Sequence, residues 1–199
     1  MKAKKKNYYK KRRFVPITQK INPNCLIILP KNSGLEEYRK QFEKLGNEKI
    51  IVRAEDVPFF VELLSQKKVS CIGLTGQDLF EEYKKKNVES KVKQLKKIKW
   101  FDEKALYKKP ALCLLGKKEK LLQDSTIAIN KKYSNIAEAL LPQNTNKIYF
   151  NGSTETAATL GLADFVFDIV YTGKSIKEAG LEIITKFSCS DIVLLGVRK

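Results

Sequence analysis

The apolar positions of this chain switch between two rhythms. Cys25-Leu-Ile-Ile-Leu29 is a continuous apolar run that stops at Pro30, the pattern of a short strand buried on both faces. Leu35, Tyr38, Phe42 and Leu45 then recur at helical spacing, and Gly46 is a natural stop. Lys49–Arg53 reads as a second strand. Asp56 stands where a helix cap belongs, Pro58 falls in the first turn, and Val57, Phe60, Val61 and Leu64 share one face. Val69–Leu74 is another buried strand, and Thr75-Gly76-Gln77-Asp78 opens a third helix. Strand and helix in alternation predict an α/β fold with a parallel sheet.

From Lys84 to Lys99 this rhythm is lost among lysines, which predicts a crossing into a second lobe. Strands are expected at Pro110–Leu115, Thr126–Ile129, Lys147–Phe150 and Phe165–Val170. Ser134 is expected to cap a short helix with Ile136, Ala137, Leu140 and Leu141 inward, and Gly152-Ser153 to open another that stops near Gly161. A short helix to Gly180 and strands near Leu181–Ile184 and Asp191–Leu195 close the chain. The expected organisation is a basic arm over 1–20, a first lobe over 21–84 plus 181–199, and a second lobe over 85–180. No internal repeat is visible.

Composition narrows the chemistry. The chain has 199 residues and no histidine, which excludes His-paired nucleophiles and His-ligated metals. Its four cysteines form no Cys-x-x-Cys pair, so they read as buried or half-buried reduced thiols rather than a zinc site. No apolar run approaches the roughly 18–20 residues of a membrane span, and no apolar stretch follows the basic amino terminus. The expected setting is cytoplasmic, without a membrane. The net charge of +17 points to an anionic partner. Its cations are nearly all lysine, however, whereas dedicated readers of phosphate and bases favour the planar fork of arginine. Residues 1–13 carry eight cations and no acid, interrupted by Tyr8 and Tyr9. They read as a solvated tail or as an RNA contact with stacking tyrosines, for which Trp100 and Phe101 are the further aromatic candidates.

One segment carries a specific chemistry. Asp168 ends a strand, and Thr172-Gly173-Lys174-Ser175 follows at a helix start. Glycine lets the backbone approach a phosphate, and successive N–H groups with the hydroxyls of Thr172 and Ser175 form an anion cradle, to which Lys174 adds a cation. A carboxylate beside such a cradle repels a bare phosphate. It suits a ligand that offers ribose hydroxyls or carries Mg2+. Acid and cradle together therefore suit a ribose phosphate. The Gly-x-x-x-x-Gly-Lys-Ser/Thr pattern of P-loop nucleotidases is absent.

The wider segment resembles the ATP phosphoribosyltransferase family of histidine biosynthesis. The matches are Gly152-Ser153-Thr154-Glu155, Gly161-Leu162-Ala163-Asp164 and the loop from Asp168 to Ile176, similar to the family's Asp-x-Val-x-Thr-Gly-x-Thr-Leu. Upstream, Leu29-Pro30-Lys31, Arg53-Ala-Glu-Asp-Val-Pro58, Ile72-Gly-Leu-Thr-Gly-Gln-Asp78 and Lys132-Tyr133-Ser134-Asn135 resemble further family motifs in the same order. The resemblance implies two α/β lobes arranged as in type II periplasmic binding proteins, with substrates in the cleft between lobes. It implies transfer of the phosphoribosyl group of 5-phosphoribosyl-1-pyrophosphate to N1 of ATP, with Mg2+ as cofactor.

Under this reading Glu155, Asp168, Thr172, Gly173, Lys174 and Ser175 bind the phosphoribosyl donor, and Asp168 and Glu155 are the metal candidates. Lys31, Arg53, Thr75, Asp78 and Lys132 lie on the ATP side, and Lys31, Arg53 and Asp168 are the catalytic candidates. The family's Pro-Lys-Gly-Arg is Pro30-Lys31-Asn32-Ser33 here, so an arginine near the nucleotide is replaced. That departure keeps open a catalytically impaired relative, and the net charge of +17, the basic arm and the Lys84–Lys99 stretch keep open a basic RNA-binding protein on the same fold. Short family members pair with a histidyl-tRNA-synthetase-like regulatory subunit. A homo-oligomer and such a partner are expected, because the chain closes at Lys199 without a further regulatory domain.

Overall fold

The computed structural model describes residues 21–117 and 120–197. The basic arm, with Tyr8 and Tyr9, lies outside the described residues. The first sheet contains β1 (Leu26–Pro30), β2 (Lys49–Val52), β3 (Cys71–Gly76), β4 (Lys93–Ile98) and β10 (Ile192–Gly196), in the order β2-β1-β3-β10-β4. The second contains β5 (Ala111–Gly116), β6 (Thr126–Asn130), β7 (Asn146–Phe150), β8 (Phe165–Val170) and β9 (Glu182–Cys189), in the order β7-β6-β8-β5-β9. In each sheet the first three strands of this order are parallel, and the last two join antiparallel. The two lobes thus share one topology although no repeat is visible in the sequence.

Burial explains why these segments pair. Ile27, Ile28 and Leu29 of β1 are fully buried, as are Ile127, Ala128 and Ile129 of β6. Each large aliphatic side chain removed from water stabilises by about 1.5–3 kcal/mol. Helix α1 (Glu36–Glu43) follows a 3-10 turn and buries Tyr38 and Phe42. Helix α2 (Val57–Gln66) lies close on β3: a Cβ on Gly73 would sit 2.5 Å from Val57 and 2.7 Å from Val61. Helix α3 (Gln77–Lys86) leaves β3 directly toward the second lobe. All four cysteines are free thiols, with Cys25, Cys71 and Cys113 buried and Cys189 half-buried.

The expected lobe boundaries move. Residues 93–98 form the edge strand of the first sheet, and residues 182–189 form the edge strand of the second. Both have one face in water, so Leu95 and Ile98 are half-buried among exposed lysines and the apolar signal is diluted. Lysine-rich edges are also how sheets avoid pairing with other chains. The crossings are therefore residues 99–110 and the pair Ser190-Asp191.

Asp191 fastens these crossings together. Its Oδ1 accepts from the Trp100 N–H at 3.0 Å and from Lys109 Nζ at 2.5 Å, and its Oδ2 lies 3.4 Å from Lys97 Nζ. Ser190 N–H also donates to the Pro110 carbonyl at 2.8 Å. Two expected caps are differently built. Asp56 makes no side-chain cap bond, and Ser134 donates instead to the Lys131 carbonyl at 2.8 Å. The amino end of α4 (Ser134–Leu140) is capped from the other lobe. Glu82 of α3 accepts from Asn135 N, Asn135 Nδ2 and Ile136 N at 2.6–2.8 Å. Ile136, Ala137 and Leu141 are buried as expected, but Leu140 is exposed.

Burial pushes the Asp191 carboxyl up, but the Lys109 and Trp100 hydrogen bonds and the nearby charges of Lys109 and Lys97 outweigh it and hold it below the ordinary 3.8. A depressed carboxyl stabilises the fold fully above its unfolded value and loses that contribution as pH falls through the lower folded one. Asp191→Ala is therefore expected to lower stability by about 2 kcal/mol at pH 7, as for loss of hydrogen bonds to a charged group. Denaturant titrations of both proteins should show this difference shrinking below about pH 4. A difference that persists unchanged at pH 3 would contradict the assignment.

Candidate active site

Parallel strands place their carboxyl ends on one edge, where open α/β sheets bind ligands. In the second lobe that edge gathers Asp168 near the end of β8, Asn130 at the end of β6, and the start of α5 (Thr154–Thr159) after β7. Gly152 and Ser153 precede α5 with φ of +142° and +54°, so the chain turns sharply and delivers Thr154 inward, fully buried.

The Asp168 carboxylate accepts from Asn130 Nδ2 at 3.1 and 3.3 Å, from Thr154 Oγ1 at 2.8 Å and from its neighbour's Ile169 N–H at 2.7 Å. Glu155 stands beside it. Thr154 Oγ1 lies 3.3 Å from Glu155 Oε2, and Ser175 Oγ donates to Glu155 Oε1 at 2.8 Å. One hydroxyl proton thus faces two carboxylates. Burial pushes the Asp168 carboxyl above its ordinary 3.8; hydrogen bonds from Asn130, Thr154 and Ile169 pull it back, and the Glu155 charge raises it further. Such a pair favours a ligand that brings hydroxyl donors or a cation.

The loop beyond Asp168 turns at Gly173, whose φ is +76°, into the short helix α6 (Lys174–Glu178). Thr172 and Ser175 are exposed at this turn, and the Thr172 hydroxyl accepts from Lys174 N at 3.3 Å. Lys174 makes an exposed pair with Glu178 at 3.6 Å, of the kind that contributes little.

Between the lobes lies a cavity of about 350 Å³. Asn32, Ser33 and Gly34 line it from the first lobe, Trp100 and Pro110 from the first crossing, and Lys132, Tyr133, Asp168 and Tyr171 from the second lobe. Asp78 stands at its floor, accepting the Tyr133 hydroxyl at 2.9 Å and the Ser190 hydroxyl. Burial and then the Asp78 charge push the Tyr133 phenol well above 10, so it stays a neutral donor.

Thr154 links Asp168 to Glu155, Ser175 reaches Glu155 directly and Asn130 supports Asp168; Thr154 and Asn130 are residues that sequence reasoning missed. Thr154 lies inside the quoted Gly-Ser-x-Glu motif at its unspecified position, so no pattern marked it. Lys31 and Arg53 are exposed directly beyond the carboxyl ends of β1 and β2. Thr75, expected on the ATP side, is fully buried and its hydroxyl donates to the Ala54 carbonyl at 2.6 Å. Asn32 ties the same two loops by accepting from Ala54 N at 3.1 Å, which gives the residue in place of the family's glycine a structural purpose. Trp100 is buried against Tyr38 and Tyr171, so it is not a free stacking platform.

The family model for HisG, ATP phosphoribosyltransferase, matches residues 53–199. The chain is 33% identical over 167 residues to the ATP phosphoribosyltransferase of Aquifex aeolicus (strain VF5), covering 81% of this chain and 72% of that protein. It is 33% identical over 161 residues to that of Hydrogenobaculum sp. (strain Y04AAS1), covering 77% and 72%. Among solved structures it is similar to a chain of the ATP phosphoribosyl transferase (HisG:HisZ) complex from Thermotoga maritima, with a TM-score of 0.66, 22% identity, and 86% and 87% of the chains covered. It is also similar to the periplasmic aliphatic sulphonate binding protein SsuA from Escherichia coli, with a TM-score of 0.55, 14% identity, and 87% and 65% covered. The two-lobed, periplasmic-binding-protein-like fold is thus present.

The raised Asp168 carboxyl makes a prediction opposite in sign to that for Asp191. Its contribution to stability is present below the unfolded pKa and lost as pH rises through the higher folded one. Relative to Asp168→Asn, the wild type should therefore lose stability from about pH 4 upward and level off above the folded value. Thermal unfolding of both proteins between pH 3 and 8 measures it; a pH-independent difference would be contrary.

Proposed function

The chain belongs to the ATP phosphoribosyltransferase family, and from that premise we propose how its residues carry out the reaction. The enzyme transfers the phosphoribosyl group of 5-phosphoribosyl-1-pyrophosphate to ATP in histidine biosynthesis. The bond from C1 of the ribose to pyrophosphate breaks and a bond from C1 to N1 of the adenine forms. N1 carries its own lone pair, so no strong base is needed, in keeping with a chain that lacks histidine. What remains for the protein is orientation and stabilisation of charge on the leaving pyrophosphate.

The observation that carries the assignment is the network of Asp168, Thr154, Glu155 and Ser175 beside the Gly173 turn. In this reading Thr172, Gly173, Lys174 and Ser175 hold the 5-phosphate, and Asp168 and Glu155 receive the ribose hydroxyls or Mg2+. Lys31, Arg53 and Lys132 serve the pyrophosphate or the ATP phosphates. Among the described residues no group of three or more Asp, Glu, Cys or His is placed to hold a metal. A face of two carboxylates suits Mg2+, which keeps water and phosphate oxygens in its shell. When bound, the ion supplies positive charge to the leaving pyrophosphate. Asp78 holds the lobes together, and its two oxygens are engaged in doing so.

The Thermotoga neighbour is a complex of two proteins. We propose that this chain likewise works with a regulatory subunit of that kind, in the cytoplasm, and that histidine acts through the partner. Among the described residues no helix is long and apolar enough to cross a membrane. No observation favours nucleic acid as a ligand, and the arm that suggested it lies outside the described residues.

Phosphoribosyl pyrophosphate with Mg2+ is expected to stabilise the fold by about 2.7 kcal/mol at a hundredfold excess over its dissociation constant. Asp168→Ala and Gly173→Val should each abolish this thermal shift while staying folded, the valine because it cannot follow φ of +76°. An unchanged melting temperature of the wild type at saturating ligand would refute the site. In a rate assay, histidine should leave the isolated chain unaffected and inhibit only with the partner present; inhibition of the chain alone would refute the regulatory half.

A further inference from the structure

The loop from Asp168 to Ser175 is held from the first crossing, not from its own lobe alone. The Tyr171 hydroxyl donates to Oδ2 of Asp102, and the Tyr171 carbonyl accepts from Leu106 N at 2.7 Å. The Tyr171 ring meets Trp100 with centroids 6.1 Å apart and planes at 58°. The Leu106 side chain lies 3.5 Å from where a Cβ on Gly173 would stand, so it closes over the turn itself.

The crossing is stiff enough to act as a brace. Asp102 N donates to the Lys108 carbonyl at 2.7 Å and Lys108 N to the Ala105 carbonyl at 2.9 Å, which folds the segment back on itself. Oδ1 of Asp102 accepts from Lys104 N at 2.9 Å, and that bond aims Oδ2 at Tyr171. At its other end the brace reaches the first lobe. Trp100 meets Tyr38 of α1 edge-on at 6.1 Å, and the Tyr38 hydroxyl accepts from Phe101 N at 3.4 Å. A continuous packed path therefore runs from α1 through the crossing to the centre of the loop. Tyr171 also occupies an unspecified position of the family motif, Asp-x-Val-x-Thr-Gly, so this brace is a property of this chain and not of the pattern.

We propose that Tyr171 is a positioning residue for the phosphoribosyl donor: anchored on Asp102 and Trp100, it makes the first crossing a strap that sets the shape of the loop and ties it to the angle between lobes. Burial and the Asp102 hydrogen bond push its phenol up to about 12, so the donor proton stays in place across the working pH range. The proposal rests on the loop binding phosphoribosyl pyrophosphate.

The test compares Tyr171→Phe, Asp102→Ala and Asp102→Asn in the full chain by steady-state kinetics and thermal unfolding. Tyr171→Phe keeps the ring and loses the hydroxyl. It should raise KM for phosphoribosyl pyrophosphate about tenfold, the scale of one hydrogen bond to a charged group, with KM for ATP and the melting temperature little changed. Asp102→Ala should do the same. The double variant Tyr171→Phe with Asp102→Ala should be no worse than Asp102→Ala alone, because the bond between the two side chains is already lost there. Asp102→Asn keeps an acceptor oxygen and should restore most of the affinity.

A wild-type KM for the donor in Tyr171→Phe would overturn the proposal. So would additive effects, or an equal rise in both KM values together with a fall in melting temperature, which is the mark of a purely structural contact. Titrating phosphoribosyl pyrophosphate by thermal shift reads the same ratio without turnover. A wild type that binds the donor but transfers nothing counts against the enzymatic reading alone, and the ratio of dissociation constants still decides on Tyr171. A wild type that does not bind the donor overturns both.

Discussion

Asp78 is a buried carboxylate that three parts of the chain share. It belongs to α3 of the first lobe, receives the phenol of Tyr133 from the second, and receives the hydroxyl of Ser190 from the second crossing. A carboxyl group is tolerated at such a depth only when hydrogen-bond partners surround it. Those donors are in position only if both lobes meet with their carboxyl edges turned inward. Glu82, one turn further along α3, extends the arrangement by capping α4 across the same junction. Asp191 does for the two crossings what Asp78 does for the lobes. The width of the cleft, and hence what fits in it, follows from these acids.

The chemistry of the cleft follows from a different imbalance. Asp168 and Glu155 bring two carboxyl groups side by side, with the Thr154 hydroxyl between them and further donors from Asn130, Ile169 and Ser175. A sugar with adjacent hydroxyls or a cation corrects that imbalance. Next to it, a glycine turn with exposed hydroxyls and an exposed lysine offers the opposite, a place for negative charge. A phosphorylated ribose carries both requirements along one molecule. Specificity in this account comes from juxtaposing two unlike demands, which a lone anion or a lone cation does not meet.

Much of this was legible in the residues. Continuous apolar runs such as Cys25–Leu29 and Ala111–Leu115 located the central strands, because a strand buried on both faces has no polar alternation to obscure it. The Gly173 turn was legible because glycine at positive φ and flanking hydroxyls are local features. The edge strands 93–98 and 182–189 were assigned to the wrong side of the crossings, since half-exposed strands carry a weak signal and their partners are distant in sequence. Caps failed for the same reason: Ser134 looked like a cap, whereas Glu82 supplies it from fifty-odd positions away, visible only once the lobes meet. Thr75 sits in a recognisable motif, but its hydroxyl holds a backbone carbonyl. Asn130, Thr154 and Tyr171 occupy positions that no motif specified, and only their contacts reveal them.

On this reading the chain joins a phosphoribosyl donor to adenine by orientation and charge stabilisation, through Asp168 and its loop. The most direct measurement follows the products by 31P NMR after mixing the purified chain with ATP, 5-phosphoribosyl-1-pyrophosphate and Mg2+. The account predicts phosphoribosyl-ATP and pyrophosphate appearing in equal amounts with the wild type, and neither with Asp168→Ala. Pyrophosphate released without phosphoribosyl-ATP, or equal product from the Asp168→Ala variant, would contradict it.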